Sequence, residues 1–330
     1  MQKTKNSIKI FAAVIICFSF IITASAANEL IPLGHTTGIV LSSDGAMVVG
    51  FSDTTLPSPC KAAGIKVGDV IKSIGGVPVH SNGDLRKAVL ASSGKELTVE
   101  YLRDGKLCSA QITPQKGENG EYVIGVMIRD GLAGIGTMTY YDPETKTYGA
   151  LGHGVSDGET NVLIPIEDGS LLNSTVADVK KGKPGSPGEL IGEYEPKNSF
   201  ADIKKNTDCG IFGKISNEAK LGEGMKYPVA AKEEIKRGAA TILSNIEGDE
   251  VREYSVEITS IYFDGEKTKN MLVRVTDPEL LAKTGGIVRG MSGSPILQNG
   301  KLVGAVTHVL VNDPKKGYAI FIENMLDAAA

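Results

Sequence analysis

The run Gly290-Met291-Ser292-Gly293-Ser294-Pro295 leads into Ile296-Leu297, then Gln298-Asn299-Gly300-Lys301, then Leu302-Val303-Gly304-Ala305-Val306. It reads as a glycine-flanked serine, a short apolar strand, a turn and a second apolar strand. Asn-Gly between two apolar runs signals a tight hairpin. Glycines around Ser292 remove side chains from a turn, which leaves a hydroxyl accessible and lets backbone N–H groups face a developing oxyanion. Taken alone, the hexapeptide also fits a plain Gly/Ser-rich hairpin turn, so its chemistry depends on what the rest of the chain supplies.

A serine hydroxyl is a weak nucleophile without a base and an orienting carboxylate. There are four histidines. His153, in Leu151-Gly152-His153-Gly154-Val155-Ser156-Asp157, ends a predicted strand between two glycines that let it face a cleft, and it is read as the base. His308, at the end of the strand after the serine, is its competitor, while His35 and His80 read as loop and turn residues. For the acid, Asp277 follows Met271-Leu272-Val273-Arg274-Val275 at a strand-to-turn junction before Pro278. Asp157, Asp168 and Asp208 remain alternatives on the residues alone. Ser294 stands where the G-x-S-x-G elbow of α/β-hydrolases needs glycine, so that architecture does not fit.

Working outward, the chain reads as mainly β. Ile135–Tyr141, a turn at Asp142-Pro143-Glu144-Thr145 and Tyr148–His153 form a hairpin pattern, and further strands are expected at 255–263, 271–275, 302–308 and 317–322. Only 228–245 looks helical, and weakly. Many short strands with turns predict a barrel or sandwich over 123–330. A second module is expected over 28–113, with short strands and a helix at 82–91 capped by Ser81 or Asn82. The polar, Gly-rich stretch 114–122 reads as a linker.

The 330 residues, 41% hydrophobic with 40 Gly and no Trp, suffice for a sizeable core and favour strands and turns. A net charge of −4 gives no positive field for nucleic acid. Cys17, Cys60, Cys108 and Cys209 lack zinc or CxxC spacing. They read as small buried thiols, with one Cys60–Cys108 bridge as the alternative. No HExxH, EF-hand or GxGxxG pattern is present, so neither metal nor cofactor is expected. Ser92-Ser93-Gly94-Lys95 lacks companion motifs, and Lys180 to Gly188 reads as an exposed loop. At the start, Lys3, Lys5 and Lys9 precede the apolar run Ile10–Ile22 and the small residues of Thr23-Ala24-Ser25-Ala26-Ala27. Residues 1–27 therefore read as a signal peptide or a membrane anchor, and the remainder as exported.

Ser58-Pro59-Cys60-Lys61-Ala62-Ala63-Gly64-Ile65-Lys66-Val67-Gly68-Asp69-Val70-Ile71 resembles the S-P-A-x-x-A-G-L-x-x-G-D-x-I run of PDZ domains, which bind peptides by strand addition. That resemblance implies a carboxylate-binding loop over 33–39, a groove strand with Gly38, Ile39, Val40 and Leu41, and a short helix packing its alanines under the sheet. Gly290 to Pro295 resembles the G-x-S-G-[GS]-P signature of chymotrypsin-like serine proteases, which implies an oxyanion hole from the N–H groups of Gly290 and Ser292. The apolar N-terminal segment, the PDZ run, the Gly-His-Gly histidine, the aspartate before the serine motif and the closing VGAVTHVLVNDPKKGYAIFIENML together resemble the stage IV sporulation protein B family of S55-type serine peptidases. This implies a triad of His153, Asp277 and Ser292. It further implies a signalling protease that cleaves itself in trans and then a regulatory subunit of a membrane metalloprotease complex, triggering pro-sigma-K processing from the space between forespore and mother-cell membranes. A PDZ adaptor with an inactive protease-like half is the alternative function.

Overall fold

The computed structural model describes residues 29–330 apart from 53–56 and 222–223. The segment 1–27, read as a signal peptide or anchor, lies outside the described residues. Among the described residues no helix is long and apolar enough to cross a membrane.

Strand β1 (Thr36–Phe51) is long enough to serve two sheets. Its second half enters the PDZ module, which continues through α1 (Pro59–Ala62), β2 (Val70–Ile74), α2 (Asn82–Ala91), β3 (Leu97–Arg103) and β4 (Lys106–Ile112). Strand β5 (Val126–Asp142) then returns beside β1, pairing first along Val126–Arg129 and later along Gly131–Thr137. Ser58 caps α1 by accepting from the Lys61 N–H, Pro59 opens it, and Gly64 at φ +83° ends it. Cys60 and Ile65, rather than the expected alanines, enter the core with Ile71, Ile74, Leu85, Val89 and Val99. Asp69 is buried and accepts two hydrogen bonds from the Arg103 guanidinium, at 2.8 and 2.6 Å, and one from the Lys66 N–H. This charged fork fixes the turn into β2. Ser81 caps α2, which buries Leu85 and Val89 one turn apart.

Beyond β5 follow β6 (Thr147–Ala150), β7 (Ile166–Lys180), β8 (Glu189–Thr207) and β9 (Gly210–Ile215). Pairings run β1–β5–β6–β9–β8–β7 and back to β1, which closes a ring of six. A second closed barrel is built from β10 (Gly238–Asn245), β11 (Val251–Ile261), β12 (Met271–Val275), β13 (Pro295–Gln298), β14 (Lys301–Val309) and β15 (Lys316–Phe321). Period-2 burial is plain in β12, where Met271, Val273 and Val275 are buried and Arg274 is exposed. Asn299 and Gly300, at φ +52° and +75°, make the expected turn between β13 and β14. Helix α3 (Pro278–Thr284) sits between β12 and the serine loop, and α4 (Ile322–Ala329) closes the chain. Two six-stranded β-barrels with a PDZ module are the chymotrypsin-like arrangement expected.

Three expectations change. The PDZ module does not precede the peptidase half but is inserted into its first barrel, between Ser42 and Gly131. Alternation within β1 and β5 could not reveal this, because one strand passes from sheet to sheet without a break. The stretch 114–122 is no free linker: Gln115–Lys116 pairs with Tyr122–Val123, and Glu121 bonds Arg86 on α2. The weakly helical 228–245 holds one 3-10 turn and then β10, where barrel pairing on both edges overrides local preference. The reading of the cysteines as thiols holds for Cys60, Cys108 and Cys209, which are all free, so the alternative Cys60–Cys108 bridge is ruled out; Cys60 and Cys209 are buried and Cys108 is half-buried.

Excision of 43–130 with an Asn-Gly turn joining Ser42 to Gly131 should leave a cooperatively melting two-barrel protein, whereas deletion of 38–113 removes a barrel strand and should abolish the thermal transition in circular dichroism.

Candidate active site

Ser292 and His153 come from corresponding places in the two barrels, each lying in the connection after its barrel's third strand. They line one cleft of about 740 Å³ together with His308, Asp157, Asp208, Lys267, Arg289 and Gly290. Local sequence dictates the placement. Leu151 and Gly152 both adopt left-handed backbone at φ +70° and +68°, which turns the chain sharply out of β6. A Cβ on Gly152 would stand 2.9 Å from Ile320 and 3.0 Å from Thr307, and one on Gly154 would press on Leu163 and the Thr207 carbonyl. Only glycines on both flanks let His153 reach the cleft.

The serine loop is held by Met291, fully buried in the second barrel's core, and by Thr137 on β5. Thr137 donates its N–H to the Ser292 carbonyl at 3.0 Å and its hydroxyl to the Gly290 carbonyl at 2.7 Å. Gly293, at φ +100°, lies so close to β5 that a Cβ would overlap the Thr137 carbonyl oxygen. The N–H groups of Gly290 and Ser292 have no protein acceptor among the described residues, as an oxyanion hole requires.

Ser292 Oγ donates to the Thr307 carbonyl at 2.6 Å. His153 Nδ1 bonds the Gly154 carbonyl at 2.8 Å. A carbonyl can only accept, so Nδ1 carries the proton and Nε2 presents the lone pair that a base needs. Burial pushes the His153 pKa down, partly offset by that hydrogen bond. His308 stacks on it with ring centroids 4.9 Å apart. Burial, and then the facing His153, bring His308 to about 4. Both rings are therefore neutral at pH 7.

Asp277 is not brought to the cleft. It is the N-cap of α3: Oδ1 accepts from Glu279 and Leu280 N–H, both at 3.0 Å, and Oδ2 from Ser255 N–H at 3.3 Å. The expectation that it orients His153 is corrected accordingly, since its carboxylate is committed to a helix end. Asp168 is an exposed residue of β7, outside the cleft. Asp157 is buried and engaged with Arg129, Thr160 and the Glu159 N–H. Asp208 remains: it lies in the turn between β8 and β9, lines the cleft, and its carbonyl accepts the Gly154 N–H at 3.1 Å. Its side chain is exposed and bonded to none of the described residues. The only sequence signal for it was its turn context, Thr207-Asp208-Cys209-Gly210. His35 lines a separate cavity beside Asp249, and His80 is an exposed turn residue.

Gly38, Ile39, Val40 and Leu41 are corrected as the peptide-binding strand. They are paired with β5 on one edge and β7 on the other, so no edge is open. Within the PDZ module, Val126–Asp130 pairs only with β1 among the described residues, and its other edge faces α2 across a groove of about 540 Å³ lined by Leu85, Arg86, Val89, Tyr122, Val123 and Val126. Among the described residues, no group of three or more His, Cys, Asp or Glu side chains is placed to hold a metal ion.

The profile of the family described as SpoIVB peptidase S55 matches residues 120–326, and that of the PDZ domain matches 38–113. A putative zinc metalloprotease, mll0638 of Mesorhizobium japonicum, is 30% identical over 102 residues, covering 31% of this chain and 28% of the relative. A probable periplasmic serine protease, do/HhoA-like, of Haemophilus influenzae is 31% identical over 83 residues, covering 25% and 17%. The chain thus spans well under a third of these curated relatives' length. Among solved structures, the Rv3671c protease of M. tuberculosis in its active form shares 17% identity over 60% of this chain and 73% of that one, with TM-score 0.36. The PDZ domain of the SdrC-like protein of Listeria monocytogenes shares 22% over 27% and 93%, with TM-score 0.24.

Two outcomes follow from this geometry. Asn caps a helix as well as Asp, so Asp277→Asn should leave peptidase rate and melting nearly unchanged, while Asp277→Ala should cost about 1 kcal/mol in denaturant unfolding. The free enzyme's base must be neutral to act, and its lowered pKa keeps it neutral further into acid. The acid limb of kcat/KM against pH should therefore fall below pH 6.5.

Proposed function

The chain belongs to the SpoIVB peptidase S55 family of serine peptidases and carries a PDZ module, and we propose that it is an exported endopeptidase acting through an acyl-enzyme, with Ser292 as nucleophile, His153 as base and Asp208 as the orienting carboxylate. One observation carries this reading: matching connections of two barrels deliver His153 and Ser292 to a single cleft beside two unpaired N–H groups.

His153 Nε2 takes the Ser292 proton as Oγ attacks the scissile carbonyl, and the N–H groups of Gly290 and Ser292 receive the oxyanion. The imidazolium then protonates the leaving amine, and a water activated by His153 hydrolyses the ester. Attack requires Oγ to leave the Thr307 carbonyl. The imidazolium is stabilised when Nδ1–H exchanges the Gly154 carbonyl for the carboxylate of Asp208, a residue tied to Gly154 through its backbone carbonyl.

An extended peptide segment adds to the edge of Val126–Asp130, with apolar side chains against Leu85 and Val89 of α2. The substrates are the chain itself in trans and a regulatory subunit of a membrane metalloprotease complex, in sporulation signalling that leads to pro-sigma-K processing. The lysine-flanked apolar N-terminus supports export into the space between the forespore and mother-cell membranes, by cleavage or anchoring. No nucleic acid or cofactor enters this scheme.

Fluorophosphonate labelling of the full chain, with the adduct located by mass spectrometry, tests the reading. Labelling is expected at Ser292, lost in Ser292→Ala and His153→Ala, retained in His308→Ala, and about 10⁴-fold slower in Asp208→Asn. A folded, peptide-binding chain that takes no label would favour the adaptor.

A further inference from the structure

The stretch Lys181-Gly182-Lys183-Pro184-Gly185-Ser186-Pro187-Gly188, expected to be a plain exposed loop, is the tip of the long β7–β8 hairpin, and that hairpin leaves its own barrel to lie on the other one. The Lys181 ammonium donates to the Ala282 carbonyl at 2.7 Å, Gly182 N–H to Thr284 O at 2.8 Å, and Gly185 N–H to Val311 O at 2.9 Å. Further down the stem, Val176 and Gly248 exchange N–H···O bonds at 2.7 and 3.0 Å, and Val176 and Leu190 are buried in the second barrel's core. Glycines permit the approach. A Cβ on Gly188 would press on the Lys180 carbonyl, the Gly182 N and Val288, and one on Gly285 would press on the Gly182 carbonyl.

The last contacts of this strap fall on the serine loop itself. Arg289 N–H donates to Gly188 O at 2.9 Å, and Leu190 N–H donates to Arg289 O at 2.8 Å. The Arg289 carbonyl and the Gly290 N–H belong to one peptide plane, in which a trans bond sets them in opposite directions. Holding the carbonyl toward Leu190 therefore aims the Gly290 N–H at the cleft. The Ser292 N–H is set likewise by the Met291 carbonyl, which accepts from Ser294 N–H at 3.0 Å, but that bond is internal to the loop. Half of the oxyanion hole is thus oriented from within its own loop and half from the opposite barrel. Gly290, at φ +97° and with the Leu190 side chain 3.0 Å from where a Cβ would stand, has the backbone freedom to turn this plane over when Leu190 lets go.

We infer that Leu190 is a positioning residue for the oxyanion hole: its backbone N–H, carried by the strap, holds the Arg289–Gly290 peptide in the orientation that admits the substrate oxyanion. The inference rests on the peptidase reading above only for its effect on rate; the orientation of the peptide can be read without turnover. A strap docked from one barrel onto the other also makes peptidase competence depend on the two barrels staying seated together.

The test is an amide-to-ester exchange in the full chain, in which Leu190 is replaced by its α-hydroxy acid so that the side chain remains and only the N–H is lost. Gly188→Val, which dislodges the strap through its own crowding, is the second variant, and Leu190→Ile, which keeps the N–H, is the control. In folded protein the ester should lower kcat by 10²- to 10³-fold, the loss known for one oxyanion donor, with KM changed less than threefold. Gly188→Val should lower kcat in the same sense, and Leu190→Ile, with the N–H intact, should lower it far less than the ester does. Independently of activity, and also in a Ser292→Ala background, the Gly290 amide ¹⁵N shift and its proton exchange rate should change in the ester variant. A folded ester variant with kcat within fivefold of the parent overturns the inference. If the parent itself has no peptidase activity, an unchanged Gly290 amide overturns it on its own, and a shifted one sustains it.

Discussion

The closeness of Gly293 to Thr137 is the constraint on which the catalytic half depends. At that point β5 of the first barrel and the serine loop of the second are separated by less than a methyl group's width, and Thr137 bonds the carbonyls on both sides of Met291. A residue with a side chain at 293 would push the barrels apart and part Ser292 from His153. The cleft therefore exists because two closed barrels, each stable as a packed ring, are pressed together through glycine.

Neutral groups hold that arrangement. The serine loop is fastened by backbone and hydroxyl hydrogen bonds, by Met291 in the core and by Ser294 against Ser244, and the two cleft imidazoles are uncharged at neutral pH. Such contacts are screened little by salt. Buried charge stands beside the serine loop rather than in it: Asp157 in the cleft wall is engaged by Arg129 and Asp69 in the PDZ module by Arg103, while ion pairs on exposed rims contribute little to stability.

Much of this was legible in the sequence, for identifiable reasons. Glycine on both sides of His153 and around Ser292 announces backbone geometry that no other residue tolerates, and Asn299-Gly300 fixes a hairpin locally. The S-P-x₄-G-I-x-x-G-D run likewise sets caps and turns within a dozen residues. What failed to show was every feature made by pairing distant segments. Gly38 to Leu41 alternate just as an edge strand would, and only β7 on their second edge excludes a peptide. Asp277 sits before Pro278, a context equally apt for a fixed acid and for a helix cap, and the three N–H groups it accepts decide for the cap. Asp208 in its turn and the glycine-rich strap carry no local mark of the loops they meet.

Inserting a folded module between two paired strands also bears on how the chain acquires its structure. Ser42 and Gly131 are neighbours in the ring, yet roughly ninety residues separate them. Closing that contact across a disordered insertion costs about 3 kcal/mol more in chain entropy than closing it across a tight turn. Once the PDZ sheet has formed, β1 and β5 already run side by side, and the first barrel inherits its registration from them. The module then acts as a built-in template for the ring, and a defect in its core around Cys60 and Ile65 would surface as slow assembly of the distant peptidase half.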